Sequence, residues 1–79
     1  MKILVYRSEY GSKYHNLEEI EYIEKHSNKI EIFFKNRVLS VNYLDIHHAD
    51  EFKKFVMTFE GFLQNGMCIL EIPYEFDVQ

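Results

Sequence analysis

A chain of 79 residues has room for one domain, residues 1–79, and a domain this small hides a modest share of its surface. Its seven Phe and six Tyr supply the bulk for a core, whereas a net charge of −4 with scattered Lys and Arg argues against direct nucleic acid binding, which rests on clustered cations. A single cysteine excludes an internal disulfide, no apolar run is long enough to span a bilayer, and no secretory leader precedes the first strand, so the expected setting is the reducing cytoplasm.

Met1 to Tyr6, MKILVY, is a short apolar run with no helical spacing and is predicted to be a strand buried on both faces. Arg7 to Asn16 breaks that pattern with Gly11, two serines and Asn16, and is predicted to be a surface loop. Leu17 to His26 is ambiguous. Leu17, Ile20 and Ile23 suit a helix, while Ile20, Tyr22 and the following turn pair Ser27-Asn28 suit a strand; a strand from about Ile20 to Lys25 is preferred because an unmistakable strand comes directly after it.

Lys29 to Lys35 alternates strictly, with Ile30, Ile32 and Phe34 on one side and Glu31, Phe33 and Lys35 on the other. Asn36 turns the chain. In Arg37 to Tyr43 the set Leu39, Val41 and Tyr43 is predicted to join Ile30, Ile32 and Phe34 on one buried face, since a one-residue slip would put them all in water. Leu44 to His48 then leaves the sheet. Asp50 to Gly66 carries apolar residues at Phe52, Phe55, Val56, Phe59, Phe62 and Leu63, the spacing of one helical face. Asp50 and Glu51 suit the unpaired amides of the first turn, and Asn65-Gly66 offers a left-handed residue to end the helix. Met67 to Ile72 is a closing strand that Pro73 stops, and the acidic tail Tyr74 to Gln79 is expected to be loosely held.

The resulting order is β-β-β-β-α-β. It describes an α+β, two-layer domain with a mostly antiparallel sheet of about five strands and one long amphipathic helix packed on one face. The other face would show Phe33, Val38, Tyr22 or Ile23 among charges, which is more apolar than a free surface usually is. The meander KIEIFF-KN-RVLSVNY, the helix ADEFKKFVMTFEGFLQNG and the last strand MCILEI together resemble small proteins encoded by phages and prophages of low-GC Gram-positive bacteria, over roughly Leu17 to Ile72. The likeness is one of pattern. It implies this fold, an origin on a mobile element and, as a partner, a host or defence protein.

The ligand-type residues nearest one another in sequence are Asp45, His47, His48, Asp50 and Glu51. They read either as a metal-binding corner or, in the ordinary way, as a chain turn and a helix start, and no HExxH or CxxC companion completes a tetrahedral set. Cys68, in the closing strand, reads as a small apolar residue rather than a nucleophile. Glu18, Glu19, Glu21 and Glu24 read as a solvated edge that discourages aggregation, or as carboxylates imitating a phosphate backbone. Gly11, Gly61 and Gly66 are isolated and make no phosphate loop.

Two features point to recognition of another protein. Arg7, Tyr10, Tyr14 and His15 place interface-favoured residue types in one predicted loop, and Met57 and Gly61 lie four apart on the helix face opposite the Phe stripe. The leading expectation is a non-enzymatic protein-binding module, open to homodimerisation, without cofactor. The alternatives are an acidic, anti-CRISPR-like inhibitor of a nucleic-acid-binding enzyme and a metal-binding protein using His47 and His48.

Overall fold

The structure, a computed structural model, describes all residues from Met1 to Gln79. It is an α+β fold with seven strands and one long helix: β1 (Ile3–Ser8), β2 (Gly11–Asn16), β3 (Ile20–Lys25), β4 (Lys29–Phe34), β5 (Val38–Tyr43), α1 (Ala49–Phe62), β6 (Ile69–Glu71) and β7 (Phe76–Val78). Short 3-10 turns at Leu17–Glu19 and Ile46–His48 lead into β3 and α1. The strands form two sheets instead of one, a three-stranded sheet in the order β2-β1-β6 and a four-stranded sheet in the order β3-β4-β5-β7. Every pairing is antiparallel except that of β1 with β6.

The central meander obeys the alternation in the sequence. Ile30 lies opposite Val41 and Ile32 opposite Leu39, so Ile30, Ile32, Phe34, Leu39 and Val41 share the inner face, where all are buried. Phe52, Phe55, Phe59 and Phe62 of α1 cover that face, each worth about 1.5–3 kcal/mol when removed from water. Phe59 is the centre of the stripe, fully buried and stacked 6.3 Å from Phe55. The core is one cluster of 13 side chains that also takes Leu4 from β1 and Ile72 from beyond β6, so both sheets belong to a single hydrophobic unit. Val5, the next residue along β1, is equally buried on the strand's other side, which agrees with a strand enclosed on both faces.

Four expectations are corrected. The stretch Arg7 to Asn16 is a hairpin: β1 and β2 pair from Ile3–Asn16 to Ser8–Gly11 around a turn at Glu9 and Tyr10. Gly11, at φ 132°, permits that turn, and the Ser8 hydroxyl accepts from the Tyr10 N–H at 3.2 Å. The strand is hard to see in the sequence because β2 is a sheet edge whose side chains are largely exposed, so pairing comes from the backbone more than from apolar alternation. The tail is held as well. Phe76 is buried, and β7 completes the free edge of β5 with Tyr43–Phe76, Asn42–Asp77 and Val41–Val78 pairs.

The other two corrections concern the helix end and the closing strand. Gly66 has no positive φ; α1 ends at Phe62, and Asn65 instead accepts the Met67 N–H through its side chain at 2.8 Å. Lys2 reinforces this turn by donating to the Asn65 and Met67 carbonyls, each at 2.6 Å, while its ammonium lies 4.6 Å from the Phe62 ring centroid. The closing strand is only Ile69–Glu71, and Cys68 before it is exposed rather than buried.

Candidate functional site

The outer face of the four-stranded sheet carries an apolar strip among polar residues. A register shift between Ile20 and Tyr22 places Ile20 opposite Phe34 and Tyr22 opposite Phe33, so Ile20 and Ile23 face the core while Tyr22 faces out. Of the two candidates, Tyr22 and not Ile23 joins Phe33 on the open side. Tyr22, Phe33 and Val38 thus form one cross-strand row. The Tyr22 and Phe33 rings stack at 4.3 Å with 9° between planes, and Tyr22 and Val38 stay 52% and 45% exposed. Three strand backbones hold this apolar strip in place.

The next row on the same face is acidic. Glu24 lies directly opposite Glu31, a like-charge pair that costs stability unless a cation offsets it. His26 Nε2 sits 2.7 Å from Glu31 and 3.6 Å from Glu24, and Lys29 Nζ is 3.8 Å from Glu31. These three side chains, Glu24, His26 and Glu31, are also the group whose donor atoms converge within 4.8 Å and could hold a divalent ion. Sequence reasoning missed them because only the β3–β4 register brings Glu24 to Glu31.

The corner from Asp45 to Glu51 does not converge. Asp45 Oδ1 accepts the His47 N–H at 2.9 Å and lies 2.8 Å from His47 Nδ1, capping the 3-10 turn. These bonds, the backbone N–H first and the imidazole second, hold the exposed Asp45 carboxyl below its usual range. No third ligand-type atom converges on Asp45 and His47, and His47 and His48 make the turn into α1.

The predicted partner residues are divided. Tyr10 is at the hairpin tip, 91% exposed, and shares an open groove of about 720 Å³ with Tyr6, Arg7 and Tyr74. Arg7 is engaged by Glu71 at 3.0 Å and Ser12 at 3.2 Å. Tyr14 and His15 are neighbours on β2 and point to opposite faces, Tyr14 to solvent and His15 inward to within 6.2 Å of the Phe34 ring. Met57 is exposed on α1 at the edge of a cavity of about 400 Å³ lined also by Lys25, His26 and Lys53. Gly61 is exposed with nothing within 4 Å of a Cβ built there, so the fold itself does not require a glycine. Glu18 and Glu19 lie in a 3-10 turn, Glu21 at the register shift and Glu24 on the sheet face, so the four glutamates do not form one row.

No family model matches the chain, no curated protein matches it, and no solved structure matches it. No helix is long and apolar enough to cross a membrane.

Proposed function

We propose that this chain is a non-enzymatic protein-binding module that docks a protein partner on the outer face of the four-stranded sheet. The observation that carries the reading is the stacked Tyr22–Phe33 pair with Val38 beside it, a partly exposed apolar strip on a face that also carries Glu24, Lys29, Glu31, Ser40, Asn42 and Asp77. Tyrosine and phenylalanine at the centre of a polar rim are the composition of an interface core, and burying the strip removes apolar area from water. The likeness to phage-encoded proteins supplies the class of partner, a host or defence protein. Tyr10 at the hairpin tip offers a second anchor.

The test is a double variant, Tyr22→Ser with Val38→Thr, in a pulldown from host lysate read by mass spectrometry, beside sedimentation of the purified chain. Capture or self-association by the parent chain that the variant loses, at unchanged circular dichroism, supports the reading. Equal capture by both proteins rejects this face. An acidic mimic would instead bind with steep salt dependence through Glu18, Glu19, Glu21 and Glu24, whose dispersal over three local structures favours the sheet face.

A further inference from the structure

The nine basic residues look scattered in sequence, yet folding gathers two of them around one cavity between the sheets. The inner face of the hairpin presents Lys13 and His15, two residues apart on β2, with Tyr6 of β1 opposite Lys13. Leu39 of β5 and Val78 of β7 close the other side, and Arg37 enters from the turn between β4 and β5. The cavity is partly open, with a volume of about 190 Å³, and Val38 and Gln79 complete its lining.

Two donors here, the Lys13 ammonium and one ring nitrogen of His15, have no protein acceptor. Arg37 Cζ lies over the Phe34 ring, 4.2 Å from its centroid, and Nη2 is 3.2 Å from His15 Nδ1. A guanidinium only donates, so Nδ1 accepts and the neutral ring carries its proton on Nε2. That Nε2 is buried and has no partner. Neither Lys13 nor Arg37 makes an ion pair, although Arg7, Lys25 and Lys29 do. Two unneutralised cations at the mouth of a partly enclosed apolar cavity concentrate positive potential locally, whatever the net charge of the chain. The planar fork of arginine matches two oxygens of a carboxylate or phosphate, and lysine adds a mobile point charge. A cavity of this volume is below the usual 300–1,000 Å³ or so of small-molecule pockets, and so suits one anionic group rather than a whole nucleotide.

We propose that the cavity between the two sheets at Lys13, His15 and Arg37 is a binding site for a single oxyanion group, a carboxylate or a phosphate. It does not rest on docking at the outer sheet face, although Val38 lines this cavity as well as belonging to the outer strip. An anion there offsets the positive charges beside His15 and draws on the Arg37 fork, so binding is coupled to the protonation of His15.

The experiment is an NMR titration of the full chain, following the His15 ring and the Arg37 side chain, with inorganic phosphate in one arm and acetate in the other. Sodium chloride at matched ionic strength is the control. The expected result is a saturable shift of both side chains beyond that given by chloride, with a rise in the His15 titration midpoint at saturation. Tighter binding of phosphate marks a dianion site, and equal or tighter binding of acetate a carboxylate site; either supports the proposal. Arg37→Gln and Lys13→Gln each weaken binding about tenfold or more, the scale of one lost charge-assisted hydrogen bond, and Arg37→Lys recovers part of it. Shifts no larger than those from chloride, or shifts that survive both Gln substitutions in variants with unchanged melting, overturn it.

Discussion

Replacing Phe76 by Ala tests whether the C-terminal segment belongs to the core. The ring is 2% exposed and lies edge-on to Phe52 at 5.5 Å and to Phe55 at 5.6 Å, so the substitution loses apolar burial, two aromatic contacts and the side chain that seats β7 against Tyr43. Each aromatic pair adds about 0.5–1.5 kcal/mol beyond area, and a buried Phe→Ala change typically costs about 3–5 kcal/mol in all. A domain of this length has a total stability of roughly 4–12 kcal/mol at about 0.05–0.15 kcal/mol per residue. The loss is therefore about a quarter or more of the whole. Urea unfolding tracked by far-UV circular dichroism reads it as a fall in midpoint, with Tyr74→Ala as the internal control. Tyr74 lies in the same segment but is 83% exposed, and its replacement is expected to change stability by no more than about 0.5 kcal/mol. A midpoint for Phe76→Ala within the error of the Tyr74→Ala control would mean that the tail is not part of the core, and the β5–β7 pairing would fall with it.

Two further outcomes concern the helix and the cavity histidine. Gly61→Ala is expected to stabilise the protein by about 0.5–1 kcal/mol in the same assay, because helix propensity improves and the added Cβ meets nothing within 4 Å; a destabilised variant would refute the open placement of this residue. If Gly61→Ala is more stable yet captures less partner, the helix face with Met57 is the docking surface in place of the sheet. His15 titrates below its ordinary value of 6.5, first because burial penalises the charged ring and then because Arg37 and Lys13 repel a proton. The unfolded chain thus binds more protons at this position, so its contribution to stability is complete above pH 6.5, declines as pH falls below 6.5, and stops changing only beneath the folded value. The stability difference between the parent and His15→Leu, measured by urea unfolding from pH 7.5 to 5, shifts in favour of the leucine variant as pH drops. A difference independent of pH would show that His15 is not held neutral.

The sheet meander, its register and the phenylalanine stripe were legible in the amino-acid sequence because each depends on periodicity. Ile30, Ile32 and Phe34 alternate with polar neighbours, and Phe52, Phe55, Phe59 and Phe62 recur at helical spacing, so local pattern and buried face agree. The placement of Phe33 and Val38 on the reverse side comes from the same period of two. Whether Tyr22 or Ile23 accompanies them was open, and a shift of register at Glu21 decided it.

What the sequence does not contain in local form is edge pairing and convergence. The segments Gly11–Asn16 and Phe76–Val78 are strands because β1 and β5 offer them unpaired backbone, a long-range cause that leaves weak marks in a largely polar stretch and in one of only three residues. The same holds for the two clusters with chemical interest. Glu24 meets Glu31 through a cross-strand pair, and Lys13 with His15 meets Arg37 across the gap between sheets; at the corner with the adjacent histidines, Asp45 contacts His47 but no group of three ligand-type side chains converges. Sequence determined which faces are apolar, since that is a property of residue order. Tertiary structure alone decided which charged groups share a cavity, since electrostatic neighbourhood depends on distance in space and the chain brings together groups 22 residues apart, as it does His15 and Arg37.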